Sequence, residues 1–558
     1  MLGVSPLIAR VLVARGMTEP ESANRFLRPA LADLHDPYLL TGMDSAVRRL
    51  RRAIDLKETV LIYGDYDVDG TTSVVILKKA IELAGGIATF HVPHRLREGY
   101  GMRPEVIERA AADGVRLIVS VDTGIRALDV VAMARQLGMD VIVTDHHLPE
   151  AELPDALAVL NPNRPDCHYP EKNLCGAGVT FKLVQALLAT LGWPPDKLQR
   201  MILSFMKLVA IATVADVVPL LGENRVIVKH GLGGMTKINN PGLQALMEVS
   251  GLLKGGIPTA REIGFQIAPR INAAGRMAQA DDIIRLFLTN DLAEARQVAG
   301  QLQILNQERQ QTEADILEAI LEECVKAPVT DENCALVFCH ASWHRGVVGI
   351  VASRIVERFC RPVFVLSEED GEAKGSGRSI PGFHLLEALE SMRDLFTSFG
   401  GHRQAAGLGM RAERVPEFRQ RFNAYAAARL TPLDFRPQLE IDAVVQLDEL
   451  NDDSTAQMLA LAPFGFGNPA PVLAVINAEI CGEPVILKEK HLRVRMRQAG
   501  RLLMATAWNF AERSEECRGI ADVAFCLEED NFNRDRGWPA WRAVLKDIRS
   551  AQYVQAGA

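Results

Sequence analysis

Residues 59–70 read TVLIYGDYDVDG, an apolar β-branched run that breaks into a glycine-flanked turn with acids at alternate positions, Asp65, Asp67 and Asp69. The run predicts a strand buried on both faces, and the pattern from Thr71 to about Leu83 predicts the helix that follows it. The unit recurs downstream in ATFHV (88–92), RLIVSVD (116–122), a helix across 126–137, and DVIVTD (140–145). Near-continuous apolar strands alternating with helices form a parallel sheet covered on both faces. Its acids lie where strands end, and in open α/β sheets the ligand crevice lies beyond the carboxyl ends of the strands.

Taken alone, Asp65-Tyr66-Asp67-Val68-Asp69-Gly70 resembles a calcium loop or a solvated acidic turn. The calcium loop fails, because its twelfth position is Ile76 where a bidentate Glu is needed and a strand precedes it where a helix should. The solvated turn loses ground to context. Asp122 ends the strand of VSVDTG, Asp145-His146-His147 end the next, and Asp216 sits in the mostly apolar ATVADVVPL, where an unpaired carboxylate is costly to bury. Carboxylates joined by imidazole suit divalent ions, and the nitrogen donor favours Mn²⁺ over Mg²⁺. Two such ions ~3.5–4 Å apart activate water and stabilise both oxygens of an in-line phosphoryl displacement.

The 558 residues amount to roughly three or four domains. Apolar content of 48% and charged content of 24% describe a globular chain and exclude disorder or fibre. No apolar run reaches ~18 residues, since the richest, Met201 to Leu221, is broken by Lys207 and Asp216, so no membrane span is expected. Arg10 and Arg15 interrupt the apolar N-terminal stretch, which reads as an amphipathic helix and not a signal peptide. Nine cysteines without a C-x-x-C pair point to free thiols in a reducing cytoplasm.

Residues 281–327 read as one or two long helices, and the acid excess of 306–326, net −4, makes them a solvated connector. A second, smaller α/β unit follows in CALVFCH (334–340), a helix at 346–359 and PVFVLS (362–367). Beyond RLTPLDFRP (429–437), the short strands QLEIDAVV, PVLAVINAEI, HLRVRMR, RLLMATAWN, DVAFCLEE and WRAVLKDI predict a compact β-barrel.

Phosphodiester chemistry also needs cations, and three groups offer them. Arg95 (PHRLREGYG) and Arg276 (NAAGRM) lie among glycines that permit close backbone approach. Gly375-Ser376-Gly377-Arg378-Ser379 reads as a loop offering N–H groups, hydroxyls and a guanidinium to a terminal phosphate. In the barrel, Arg493, Arg495 and Arg497 alternate with Leu492, Val494 and Met496, and residues 488–501 carry net +5, a track for a phosphate backbone or an ordinary solvated face. Gly400-Gly401 reads as following a helix, one glycine serving as its cap.

GDYDVDG, VDTG, TDHH and TVADVVPL, in that order, resemble the four motifs of the DHH phosphoesterase superfamily. HVPHRLREGYGM, INAAGRM, WHRGVVGIVASRI, KGSGRS, FGGHRQAAG and PFGFGNPAPV extend the likeness over nearly the whole chain, to the superfamily's bacterial exonucleases specific for single-stranded DNA. The resemblance implies an N-terminal helical arm (1–43), a parallel-sheet DHH phosphoesterase domain (44–280), connector helices (281–328), a smaller α/β DHH-associated domain (329–430) and a C-terminal OB-fold β-barrel (431–558). It implies hydrolysis of single-stranded DNA from the 5′ end to 5′-mononucleotides, in recombination and repair, with two Mn²⁺ or Mg²⁺ ions. Asp67, Asp69, Asp122, His146 and Asp216 are then the metal ligands, with Asp122 bridging. His147 and Arg276 face the phosphate. Arg95, Ser376 and Arg378 form the 5′-phosphate pocket, Tyr100 stacks on a base, and His402 touches substrate. Many members have His where this chain has Tyr63, so Asp65 is the expected replacement. The implied partners are single-strand-binding protein and a helicase, for a monomer with no membrane. The competing readings are a phosphodiesterase for short oligonucleotides or cyclic dinucleotides, and a non-catalytic DNA-binding scaffold.

The net charge of −8, from 62 basic and 70 acidic residues, argues against nucleic acid only as a global sum. Locally, bound cations would offset the metal-ligand carboxylates, and the basic groups lie where a strand would run.

Overall fold

A computed structural model describes residues 2–95, 98–99, 101–253, 256–277, 280–530 and 540–550. Strands β1 (Thr59–Tyr63), β2 (Ile87–His91), β3 (Leu117–Val121), β4 (Asp140–Thr144) and β5 (Ala158–Leu160) form a parallel sheet in the order β2-β1-β3-β4-β5. The two-residue period sorts side chains between two cores. Val60, Ile62, Val119 and Ile142 join helices Val68–Leu83, Gly176–Ala189 and Pro195–Ala215 on one face, while Leu61, Tyr63, Ile118 and Val143 pack with Pro104–Ala112 and Leu128–Gln136 on the other. Both faces of β1, β3 and β4 are therefore dry, as their apolar sequences require, while the edge strand β2 turns Ile87 and Thr89 to solvent. The strand β5 is too short to show in the sequence pattern.

The helix Pro195–Ala215 corrects one expectation: by length and composition it could cross a membrane. Its residues from Phe205 to Thr213, Lys207 apart, are buried within the protein, most of them in the first core, as the core helix of a large α/β unit would be.

A second correction concerns the connector. Leu292–Lys326 is one helix of 35 residues, and it is not simply solvated. Ala295, Val298, Ala299 and Leu302 lie in the first core, whereas Ile316 and Ile320 lie in a core shared with Val348, Val351 and Ile355 of the next domain. Between them Arg309 is buried and donates to Asn306 Oδ1 at 2.7 Å. Most of its acids face solvent, while Glu313 pairs with Arg309 and with Arg354 of the next domain, so the helix is a spine that fixes two domains relative to each other.

The second sheet runs β6-β7-β8-β10-β9, from β6 (Leu336–His340), β7 (Val363–Glu369), β8 (Glu372–Arg378), β9 (Phe396–Gly401) and β10 (Ala405–Arg411). Here the glycine-rich segments are strands and not loops. Gly375 to Arg378 belong to β8, paired on both sides by β7 and β10, so their backbone N–H groups sit in a ladder and are not offered to a ligand as a loop's would be. Gly377 is small because a side chain there would meet the Phe364 ring at 2.5 Å. Gly400 and Gly401 end β9 and cap no helix.

The C-terminal strands are β11 (Ala443–Val444), β12 (Val472–Ile480), β13 (Val485–Leu487), β14 (His491–Gln498), β15 (Arg501–Ala507), β16 (Ile520–Glu529) and β17 (Trp541–Ser550). The order β12-β16-β17-β15-β14 closes through a β12–β14 pairing into a five-stranded barrel. Its core also takes Leu7, Ile8, Val11 and Leu12 of the helix Pro6–Ala14, and Ala23 and Phe26. The buried Arg225 bolts this unit to the first domain, donating to the carbonyls of Phe26 (2.7 Å), Leu461 (2.9 Å) and Ala462 (3.0 Å).

Candidate metal centre and nucleic-acid cleft

The acidic turn after β1 is held by helix ends. Asp67 caps the helix Val68–Leu83, its Oδ1 accepting from the N–H groups of Asp69 (2.9 Å) and Gly70 (3.0 Å). Asp69 accepts from Gly176 N (2.6 Å) and Ala177 N (2.8 Å), at the start of a second helix whose positive end favours a carboxylate. Asp122 follows directly on β3 with φ of +58°, a conformation Asp tolerates better than most residues. Gly176 is required opposite it, since a β-carbon there would lie 2.5 Å from Asp122 Oδ1. Asp216 comes from the end of the buried helix Pro195–Ala215.

These groups converge. His146 Nε2 lies 3.3 Å from Asp122 Oδ1 and 3.8 Å from Asp69 Oδ2, and its Nδ1 lies 3.7 Å from Asp216 Oδ2. Ligand atoms of Asp65, Asp67 and Asp122 lie within 4.8 Å of one another, as do those of Asp69, His146 and Asp216, and those of Asp122, His146 and His147. Asp122 thus borders two of the three groups, the place a bridging ligand would occupy.

The cluster is electrostatically incomplete on its own. Burial, then the neighbouring carboxylates, push Asp65 and Asp122 well above the usual carboxylate range and Asp216 up to about 9. Asp65 Oδ1, Asp122 Oδ1 and Asp216 Oδ2 are buried with no hydrogen-bond partner. Oxygen donors aimed at one another, with imidazole and without donors of their own, fit divalent cations.

Tyr63 offers nothing to this cluster. It points to the opposite face of the sheet, where its hydroxyl accepts from Arg103 N (3.1 Å) and donates to Gly101 O (3.2 Å). Asp65, two residues on, stands in the carboxylate group instead.

Residues that orient the ligands escaped the sequence reading. Asp145 is wholly buried and accepts from His147 Nδ1 (2.7 Å), His146 N (2.8 Å) and Ile125 N (3.0 Å). Asn161 and Asn163 donate to the carbonyls of His147 (2.8 Å) and His146 (2.7 Å). The Asp145 bond raises the His147 pKa against burial, favouring the imidazolium. Asp145→Asn is expected to lower Mn²⁺ affinity and turnover about 10–100-fold, as loss of an outer carboxylate partner does. Calorimetric Mn²⁺ titration checks this, and unchanged affinity and rate would count against the role.

Arginines from two domains face the carboxylates. Arg95 lies over the Tyr66 ring at 5.0 Å, and Arg276 reaches across to donate to Gly346 O at 2.8 Å. Burial first, then Arg95, Arg309 and Arg378, depress Arg276 to about 10, and burial and Arg95 depress Arg378. Like charges gathered and dried in this way form a site waiting for an anion. Ser376 and Arg378 lie side by side at 3.3 and 3.4 Å from where a Gly349 β-carbon would stand. His402, in the β9–β10 turn, has its pKa lowered by burial and then by the charges of Arg126 and His147. Tyr100 lies outside the described residues.

On the barrel, Arg493 and Arg495 are exposed opposite buried Leu492, Val494 and Met496, as the alternation predicts, and form no ion pair among the described residues. Arg497 differs, being paired bidentately with Glu479 (2.8 and 2.9 Å). Trp508, which no motif marked, is 42% exposed and stands edge-on to His491 at 4.8 Å.

The DHH family N-terminal domain matches residues 59–213, the DHHA1 domain 331–428 and the RecJ OB domain 441–538. The single-stranded-DNA-specific exonuclease RecJ of Bacillus subtilis is 42% identical over 519 residues, covering 92% of this chain and 64% of its own, so the chain spans under two thirds of that relative. The RecJ of Salmonella typhimurium is 36% identical over 569 residues, covering 97% and 96%. The crystal structure of RecJ with Mn²⁺ from Thermus thermophilus is similar with a TM-score of 0.83 and 33% identity, covering 98% of this chain and 76% of that one. The same protein with Mg²⁺ gives 0.77 and 32%.

Proposed function

The chain belongs to the RecJ family of single-stranded-DNA-specific exonucleases, and from that premise we propose that it is a metal-dependent nuclease removing 5′-mononucleotides from the 5′ end of single-stranded DNA. The observation that carries this reading is the meeting of five carboxylates and His146 with Arg95, Arg276 and Arg378 at the seam between two α/β domains.

Asp65, Asp67, Asp69, Asp122, His146 and Asp216 would hold the two Mn²⁺ or Mg²⁺ ions. When bound, the ions supply a nucleophile at neutral pH and stabilise charge on the phosphoryl oxygens. The remaining work belongs to the chain. Arg276 neutralises the phosphate from the second domain's side, and its anchor on Gly346 O fixes that position. His147, its imidazolium favoured by the bond to Asp145, faces the same phosphate. Arg95, Ser376 and Arg378 take the 5′-phosphate, and His402 closes over the substrate from the β9–β10 turn. The spine helix holds the two domains apart by a fixed amount, leaving a cleft that admits one strand and excludes duplex.

The barrel distinguishes long strands from short ones. Arg493, Arg495 and Trp508 present cations and an aromatic face on its outside, features suited to an unpaired strand. A phosphodiesterase for dinucleotides has no use for them. The partners that fit are single-strand-binding protein and a helicase, in recombination and repair in the cytoplasm, with the chain acting as a monomer. The nine cysteines, all unpaired, support a reducing compartment.

The test is digestion of a 5′-phosphorylated single strand, its duplex and a dinucleotide with Mn²⁺. Mononucleotides are expected from the single strand and not from the duplex. Equal or faster cleavage of the dinucleotide would overturn the reading.

A further inference from the structure

The segment PFGFGNP (463–469) plays no part in the site described above, yet it is built with unusual care. Gly465 N donates to Asn468 O at 2.9 Å and Asn468 N to Gly465 O at 3.1 Å, leaving Phe466 and Gly467 at the tip of a tight turn. Gly467 has φ of +72°, and a β-carbon there would also meet Pro219 at 2.8 Å. Asn468 is 1% exposed and staples the turn, donating to Leu461 O (3.1 Å) and Pro463 O (2.9 Å) and accepting from Arg15 Nη1 (2.7 Å). Arg225 holds the residues leading into it.

The turn is seated on the metal side of the molecule. Phe466 O accepts from Leu220 N at 2.8 Å, and a side chain at Gly465 would strike Leu220 at 2.6 Å. Leu220 is four residues beyond Asp216, a reach of at most about 14 Å. Between them Val217 has φ of +58°, a strained state for a β-branched residue of the kind that gathers at functional sites. Both segments turn apolar groups to water: Phe466 is 59% exposed and Val217 61%. A single exposed ring needs no explanation. A ring displayed on a rigid turn, bonded to a strained segment beside a metal ligand, does.

We infer that Phe466 is a base-stacking residue, a platform that the barrel domain contributes to the edge of the metal centre. The inference rests on the exonuclease reading and deepens it. The chemistry favours a base over a phosphate, because Phe466 offers a neutral apolar ring with no cation or N–H for an anion, and such a ring accepts the π-face of any nucleobase. Such contact is independent of sequence, as an enzyme that digests strands from one end requires.

The test is binding of a short 5′-phosphorylated strand to the full chain without divalent metal, read by fluorescence anisotropy, with each base in turn replaced by an abasic residue. For the parent chain, one abasic position near the 5′ end should weaken binding about 5–150-fold, the span found for base–aromatic stacking. Phe466→Ala should show the same loss on the intact strand, and the sensitivity at that one position should vanish while the others persist. Phe466→Trp should restore both, with its fluorescence quenched on binding. The inference is overturned if Phe466→Ala binds as the parent does, or if it weakens binding and leaves the abasic profile unchanged, the mark of a merely structural role. A parent chain that neither binds nor digests the single strand sinks the exonuclease reading first, and this inference with it.

Discussion

Asp122→Asn is expected to reduce nuclease turnover about 10³-fold or more while raising the melting temperature of the metal-free chain. Both effects have one cause. Asp122 lies among Asp65, Asp67, Asp69 and Asp216, buried, with an oxygen that has no donor, so without cations its charge is a liability. Asparagine keeps the shape and accepts the φ of +58° without added strain, removing the charge and little else. With the charge goes a candidate ligand that, like His146, stands in two of the three groups able to hold a cation. Alanine at the same place should be as inactive but less stable than asparagine, since the positive φ suits it poorly. Steady-state digestion of single-stranded DNA with Mn²⁺, paired with thermal unfolding in chelator, checks both arms. A variant within tenfold of the parent rate would refute the metal centre drawn here.

The second large effect concerns pH. In chelator, the chain should melt at least about 5 °C lower at pH 9 than at pH 5. Asp65, Asp122 and Asp216 are all raised above the ordinary carboxylate value of 3.8, Asp216 to about 9. Above 3.8 each keeps its proton in the folded state over a range in which the unfolded chain gives it up, Asp216 until about pH 9. Their stabilising contribution is therefore fully present below pH 3.8 and lost as pH rises through the raised values. His147, also raised, acts in the same direction, and the lowered His146 opposes it. Asp145 is depressed and is ionised in both states across this window. Saturating Mn²⁺ should cancel most of the slope, because the ions replace the protons. A flat profile in chelator, or a rising one, would show that the carboxylates are not held as the geometry has them.

Which of these features could be read from residues alone follows a physical divide. The parallel sheet was legible because strands covered on both faces must be apolar throughout, and the acids were legible because they interrupt that pattern at strand ends. The candidate ligands Asp67, Asp69, Asp122, His146 and Asp216 came from motif likeness, and each stands in at least one of the three groups whose ligand atoms lie within 4.8 Å of one another. What stayed hidden depends on partners distant in sequence. Asp145 looks like a ligand beside His146, and only the hydrogen bonds from His147 and Ile125 show it turned away as a positioning group. The glycines of β8 look like a phosphate loop because small residues serve loops and tight strand packing alike, and Phe364 decides between them. The spine helix looked solvated because its acids outnumber its bases, whereas Ala295, Val298 and Leu302 bury a stripe that net charge does not register.

The sharing of one core by the helix Pro6–Ala14 and the C-terminal barrel has a consequence for biosynthesis. Leu7, Ile8, Val11 and Leu12 leave the ribosome long before Ala443 and the strands that cover them. At ~5–20 residues per second, the interval is on the order of tens of seconds. For that time the apolar stripe lacks all of its native partners beyond those near it in sequence, such as Ala23 and Phe26, so the nascent chain presents a binding site to holdase chaperones and a liability to aggregation. Any truncation that ends before the barrel makes that exposure permanent.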